Sequence, residues 1–399
     1  MKAPTNSNDN PDYIRNSPRV VVSAYWRWHA YQLISELVKW SEPTLYTADY
    51  KSPYVAALPY VQRPSYLFRL GAKVCGRMPL VGANDFFREQ FDQWVSSKFA
   101  DKYAQKPVQI FHGWSSFSLR TLSKISDLGD TKVVIERSGT HIDSQIRIIE
   151  EESERWGIKE PLRMKISDQR RDRMLEEYER ADCVLTCSSV AQKSFVDCGI
   201  PSGKVASVLL GSNFNHEQVS RVAAGKFTVI SVGISSVRKG HHYLLEAWKR
   251  TKLPNAELIL VTNPGEFFKD YESLSNVRYM SRMPWLELIQ LYREADVFCL
   301  ASVEDGFGMV VSEAMSMELP VIVSDAVGAS DLVRDNQDGK IFPSRDIEAL
   351  QYCLESMYTN REQTVAMGKS AGEHVKRYSW ERYGKGIKEL YQNLLAKSQ

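Results

Sequence analysis

Short β-branched runs alternate with longer amphipathic ones along this chain, and the alternation starts twice. Arg19-Val-Val-Val-Ser-Ala, Val108-Gln-Ile-Phe-His, Lys132-Val-Val-Ile-Glu and Cys183-Val-Leu-Thr-Cys read as strands buried on both faces. Between them, His29 to Trp40, Asp85 to Phe99 and Asp143 to Trp156 carry apolar residues at helical spacing, and Asp168 to Ala181 is a strongly charged helix. Val205 to Leu210 closes this first series. Asn213 to Lys226 has no apolar periodicity and reads as a linker. The pattern then restarts with the strand Phe227-Thr-Val-Ile-Ser-Val-Gly, a loop through Lys239-Gly240 and a helix from His241 to Thr251. Glu257 to Thr262, Asp296 to Ala301 and Pro320 to Ser324 continue as strands, with helices Pro284 to Ala295 and Gly308 to Met317 between them. A parallel crossover must pass over a sheet face, so this order predicts an α/β chain of two doubly wound domains. The expected boundaries are a disordered lead-in over 1–18, a first domain over 19–212, a linker over 213–226, a second domain over 227–378 and a final helical segment over 379–399.

Composition narrows the partners. At 399 residues, 43% hydrophobic and 25% charged, the chain has the make-up of an ordinary globular protein with enough apolar material for two cores. Fifty-one basic against forty-nine acidic side chains give a net charge of +2, so no overall field marks nucleic acid as a partner. Six cysteines lie scattered without a C-x-x-C pair, which favours reduced thiols in a cytoplasmic protein over a metal cluster. Met1 to Pro18 is polar, with no apolar stretch of the kind a signal peptide carries. Tyr25-Trp-Arg-Trp-His follows the first strand in place of a G-x-G-x-x-G, which argues against a nicotinamide oxidoreductase.

Two loops of the second half carry chemistry. In Ser302-Val-Glu-Asp-Gly-Phe-Gly-Met-Val-Val-Ser-Glu313, the carboxylates Asp305 and Glu313 bracket a glycine turn that opens a helix. Gly306 and Gly308 let backbone N–H groups approach an anion, and the helix adds its positive end. Paired carboxylates accept hydrogen bonds from vicinal hydroxyls, as in a ribose or a hexose. The plainer account is an acidic helix cap and a surface glutamate. Arg238-Lys239-Gly240, at a strand end before a helix, offers cations to a diphosphate and to the charge a leaving phosphate gains. A solvated basic turn is the alternative there.

These segments carry a resemblance. Val232-Gly-Ile-Ser-Ser-Val-Arg-Lys-Gly240 with Tyr243-Leu-Leu-Glu-Ala, then Glu304-Asp-Gly-Phe-Gly-Met-Val-Val-Ser-Glu-Ala-Met, then Leu319-Pro-Val-Ile, are similar to glycosyltransferase family 4. Tyr378-Ser-Trp-Glu-Arg-Tyr resembles the start of that family's returning C-terminal helix. The resemblance implies the GT-B fold, two Rossmann-like domains facing across a cleft, and a retaining hexosyltransferase that uses a nucleoside diphosphate sugar as co-substrate. It implies that Asp305 holds donor-sugar hydroxyls, with Glu304 as a neighbouring competitor, and that Gly306, Phe307, Gly308, Met309 and Val310 support sugar and phosphates. Glu313 would hold the ribose, Gly233 would border the phosphates, and Arg238 and Lys239 would stabilise them. The family's usual arginine after the strand glycine is replaced by Ile234, and its usual first glutamate by Asp305. His141 matches a histidine near the donor sugar, although an isolated histidine is more often structural. His112, Trp114, Glu136 and Arg137 are candidates for the acceptor side, against packing as the alternative.

The implied acceptor is a hydroxyl of a saccharide or lipid-linked molecule in surface polysaccharide or glycoconjugate assembly. No Asp-x-Asp triplet is present, so neither a metal nor another cofactor is implied. Base recognition is expected near Met280 to Met283. Tyr60 to Gly82 contains Arg63, Arg69, Lys73 and Arg77 among apolar residues and no acid. It reads first as an internal helix with solvated arginines, and second as a peripheral contact with the inner face of a membrane. Two other classes stay open: a non-catalytic sugar-nucleotide-binding protein, and an epimerase or phosphorylase on the same fold.

Overall fold

The computed structural model describes residues 17–26, 29–49, 60–75, 81–158, 166–212, 225–263, 268, 271 and 274–396. Most of the expected lead-in, most of the expected linker, and Arg77, Met78 and Leu80 lie outside the described residues. In chain order the first half runs β1 (Arg19–Ala24), α1 (Ala30–Leu37), β2 (Glu42–Thr47), β3 (Val61–Gln62), α2 (Tyr66–Cys75), α3 (Val81–Gln105) and β4 (Ile110–Trp114). It continues through α4 (Leu119–Leu128), β5 (Lys132–Arg137), α5 (Ile142–Trp156), α6 (Asp168–Arg180), β6 (Cys183–Thr186), α7 (Ser189–Asp197) and β7 (Val205–Ser207).

The second half begins with β8 (Phe227–Val232), α8 (His241–Thr251), β9 (Ala256–Val261), β10 (Val277–Met280), α9 (Trp285–Glu294) and β11 (Val297–Leu300). There follow α10 (Met309–Ser316), β12 (Val321–Ser324), β13 (Gly339–Phe342), α11 (Ile347–Thr359), α12 (Arg361–Val375) and α13 (Trp380–Ala396).

Two parallel sheets result, seven strands in the order β3-β2-β1-β4-β5-β6-β7 and six in the order β10-β9-β8-β11-β12-β13. Every residue of β1 is buried, as a strand covered on both faces requires. Its register sets Val22 between Leu45 and His112. In the second sheet Ile230 pairs with Ile259 on one side and Phe298 on the other. The core around this sheet joins Val229, Leu244, Leu258, Cys299, Ile322 and Leu354. In each sheet the strand order reverses beside the first strand, between β1 and β4 and between β8 and β11. At such a switch point the loops leaving neighbouring strands diverge and open a crevice at the carboxyl ends.

The compact units are cut differently from the expected domains. One comprises residues 1–136, 167–185 and 384–399, the other 137–166 and 186–383. Residues 137–166 group with the second sheet because Thr140 and Gln145 hydrogen-bond Glu304, and because Glu152 takes a hydrogen bond from Tyr243 and pairs with Arg345.

Candidate active site

The switch point of the second sheet is built by two loops stitched through their backbones. After β8 the chain passes Gly233 and a short 3-10 turn, Val237–Lys239, before α8. After β11 it runs through Ser302 to Gly308 before α10. The Arg238 carbonyl accepts from the Val303 N–H at 2.8 Å and from the Glu304 N–H at 3.3 Å. Gly240 has φ +64°, and a Cβ there would sit 1.8 Å from the Ala301 carbonyl oxygen, so only glycine allows this approach.

Stitching the loops places charges in pairs. Lys239 Nζ donates to the Asp305 carboxylate, both side chains being about nine-tenths buried. Arg238 donates to Glu304 Oε2 at 3.1 Å. Glu304 also accepts from Thr140 Oγ1 at 2.8 Å, the Thr140 N–H at 3.3 Å and Gln145 Nε2 at 3.0 Å. Burial alone would push the Glu304 carboxyl up, but the Arg238 guanidinium and the Gln145 and Thr140 donors overcome it and hold the pKa at about 2. Burial lowers the Lys239 ammonium from its ordinary value, opposed by the Asp305 charge.

The glycine turn is fixed from below. Ser188 Oγ donates to the Gly306 carbonyl at 2.6 Å, the Gly328 N–H to the Asp305 carbonyl at 2.8 Å and the Ala329 N–H to the Phe307 carbonyl at 2.6 Å. A Cβ on Gly306 would meet the Ser138 carbonyl oxygen at 2.3 Å. Gly308 caps α10 at φ +85°, so Met309 and Val310 present first-turn N–H groups that have no carbonyl four residues back. Phe307 is buried beneath the turn. Glu313 stands further along α10, with Tyr292 O–H 3.5 Å from its carboxylate. Burial raises its pKa to about 7. Gly233 borders the site, since a Cβ there would lie 3.6 Å from Lys239 Cγ and 3.3 Å from His241 Nε2. Ile234, at the position of the missing arginine, is 43% exposed.

The second sheet's loops and helix starts thus bring together Arg238, Lys239, Glu304, Asp305 and the N-termini of α8 and α10. Cations beside helix N-termini suit a diphosphate, and the carboxylates next to them suit hydroxyls. Residues 212–374 match the family model described as glycosyl transferases group 1. That part of the chain is similar to the group 1 glycosyltransferases. Over 221 residues, 51% of this chain, it is 32% identical to the sulfoquinovosyl transferase of Arabidopsis thaliana, spanning 43% of that protein. Over 118 residues, 30% of the chain, it is 32% identical to a D-inositol 3-phosphate glycosyltransferase of Corynebacterium urealyticum, spanning 28% of it. The chain therefore spans about half or less of these curated relatives.

Likeness of fold extends further than likeness of sequence. Sucrose-phosphate synthase from Thermosynechococcus elongatus superposes with a TM-score of 0.67 at 17% identity, covering 95% of this chain and all of that one. HepE of Anabaena, solved with UDP and glucose, gives a TM-score of 0.65 at 14% identity, covering 94% of this chain and 100% of its own. The fold is accordingly GT-B.

Other expected residues are placed differently. His141 belongs to the compact unit of the second sheet and caps α5, its Nδ1 accepting from the Asp143 N–H at 3.2 Å and its ring edge-on to Phe195 at 5.0 Å. Arg137 lies in the same unit and donates to Gln145 Oε1 at 2.8 Å and the Thr140 carbonyl at 3.2 Å, which steadies two partners of Glu304. His112, Trp114 and Glu136, the residues expected on the acceptor side, are buried, with His112 and Glu136 joined in one hydrogen-bond network. Glu136, 1% exposed, bonds His29 and His112, and His112 Nδ1 lies 2.7 Å from Tyr391 O–H. Strand ends that carry polar side chains can satisfy one another under a covering helix, and here they do. Gln145, Ser188 and His241 were not legible as site residues. Gln145 and Ser188 reach Glu304 and Gly306 across 159 and 118 positions of sequence, while His241 differs from any helix-start residue only in its burial.

Proposed function

We propose that this chain is a retaining, family 4 hexosyltransferase that moves a sugar from a nucleoside diphosphate to a hydroxyl of a saccharide or lipid-linked acceptor. The reading is carried by the two adjacent ion pairs, Lys239 with Asp305 and Arg238 with Glu304, at the mouths of α8 and α10. In this reading the diphosphate takes Lys239 from Asp305, and the freed Asp305 carboxylate accepts from donor-sugar hydroxyls. Glu313, partly buried and with its pKa raised to about 7, takes the ribose hydroxyls. The Met309 and Val310 N–H groups face the phosphates.

Transfer breaks the bond from the anomeric carbon to the phosphate oxygen and forms one to the acceptor oxygen on the same face. The acceptor proton passes to the departing phosphate, whose growing charge Lys239 and Arg238 stabilise. We take the diphosphate to be held by these side chains and helix N-termini without a metal. No helix among the described residues is long and apolar enough to cross a membrane. We place the enzyme in the cytoplasm, at the inner face of the membrane, in assembly of a surface polysaccharide or glycoconjugate.

A thermal-shift series with UDP, GDP, ADP and their hexose conjugates, without metal and then with Mg²⁺, tests the donor site. A bound ligand raises the melting temperature by mass action, so one nucleotide should stand out. Absence of any shift in folded protein overturns the donor reading and favours a different role for the domain.

A further inference from the structure

We infer that the first compact unit holds a ligand site of its own, a pocket that takes a neutral saccharide. The cavity, about 450 Å³, lies among the N-terminal parts of α3, α4 and α6, and every residue that lines it belongs to that unit. Its volume is that of a small-molecule site, but such sites are mostly apolar and this one is not. Among the described residues that line it stand four arginines, four carboxylates and one apolar side chain, Leu119. None of His112, Trp114, Glu136 and Arg137 is among them, so the pocket is separate from the residues expected on the acceptor side.

Buried charge beside the cavity excludes an anion. A helix start ringed by guanidiniums would ordinarily attract one, but the N–H groups that open α4 are already taken by two fully buried carboxylates. Glu177 accepts from the N–H groups of Ser116, of Ser118 at 2.7 Å and of Leu119 at 3.1 Å. Asp92 accepts from those of Arg120 at 2.7 Å and Thr121 at 3.1 Å, and also binds the Arg173 guanidinium. The wall of the pocket repeats the pairing. Arg88 Nε lies 3.7 Å from Asp85, and Arg120 Nε donates to Glu89 at 3.1 Å. An anion entering here meets carboxylates, and a cation meets guanidiniums. A hydroxyl suits both, because it accepts from a guanidinium and donates to a carboxylate, and vicinal hydroxyls bridge neighbouring planar groups. Ser116 shows the arrangement within the chain itself. Its Oγ accepts from Arg88 Nη1 at 3.1 Å and from Arg170 Nε at 3.2 Å, and its backbone is held at φ +83°, a left-handed conformation that strains a serine. A sugar hydroxyl in the pocket would be held in the same way.

The test is saturation-transfer NMR of the full chain, without nucleotide, against maltose, cellobiose, lactose and diacetylchitobiose, with inorganic phosphate and glucosamine as charged competitors. At least one of the four neutral sugars should bind saturably, and neither competitor should displace it. Glu89→Gln with Arg120→Gln should weaken that binding about tenfold or more, the loss that goes with a charge-assisted hydrogen bond. Gln169→Trp removes no charge but fills the cavity, and should abolish binding. Both variants should keep the wild-type melting temperature, since Arg120 and Gln169 are exposed and Glu89 is half-buried. No binding by any of the four sugars, displacement by phosphate or glucosamine, or binding indifferent to both variants overturns the inference. With no nucleotide in the sample, that failure leaves the donor reading where it stands.

Discussion

Two residues of the donor site report on it in separable ways. Lys239→Ala removes the cation expected to stabilise the leaving phosphate, so kcat should fall about 100-fold with a smaller change in KM. Steady-state kinetics against the nucleotide identified by thermal shift checks this, with the melting temperature read in parallel because Asp305 loses its partner. Glu313 supplies a pH signature. Its folded pKa is raised by burial from 4.5 to about 7, so its protonated form is favoured in the folded chain. Stability gained from this group is full below pH 4.5 and is lost as pH rises through about 7. Ribose hydroxyls donate to the ionised form, so nucleotide affinity should move the other way, rising as pH climbs through about 7. Glu313→Gln should flatten both profiles, as titration calorimetry and urea midpoints taken from below pH 4.5 to above about 7 would show. A Gln variant that keeps the wild-type binding profile would remove Glu313 from the ribose. Both residues were readable in advance because each lies within a short contiguous motif. Gln145 was not, because its bond to Glu304 depends on how distant segments fold together.

At the scale of elements, the long β-branched runs gave away β1, β4, β5, β6, β8, β9, β11 and β12. The strands that escaped are those whose composition hides them. β2 carries Pro43, β3 has two residues, β10 is interrupted by Arg278, and β13 opens on Gly339. Each is an edge strand or lies next to one, where a weak pattern is tolerated because the neighbour supplies the ladder. The loop between β8 and α8 is held to tighter terms. Gly240→Ala forces a left-handed residue and drives a Cβ into the Ala301 carbonyl. The variant should lose at least about 2 kcal/mol of stability and its nucleotide-dependent thermal shift together, because Lys239 is carried on the same turn. A variant that keeps both would show that the loop has another path past β11.

For the whole molecule, the two-sheet α/β plan was legible and the partition into compact units was not, since alternation records local structure and says nothing of which loops share contacts. Both units are assembled from separated stretches of chain. Residues 384–399 belong with 1–136, and within that unit Ile387 and Tyr391 are fully buried, Tyr391 against His112. Tyr391→Phe should therefore cost about 1–3 kcal/mol in urea denaturation by leaving a buried imidazole nitrogen unpaired, and a chain ending at Tyr383 should be recovered largely insoluble. Soluble, cooperatively melting truncated protein would show that the first unit does without the helix. The same discontinuity sets an order of events during synthesis. A ribosome extends the chain by about 5–20 residues each second, and residues that start a unit normally collapse as they emerge. Here the first strands must wait, for roughly tens of seconds, until the helix that completes their unit has cleared the exit tunnel. A premature stop just before residue 384 is then as damaging as one far upstream, and the nascent first unit is the stretch most in need of a chaperone.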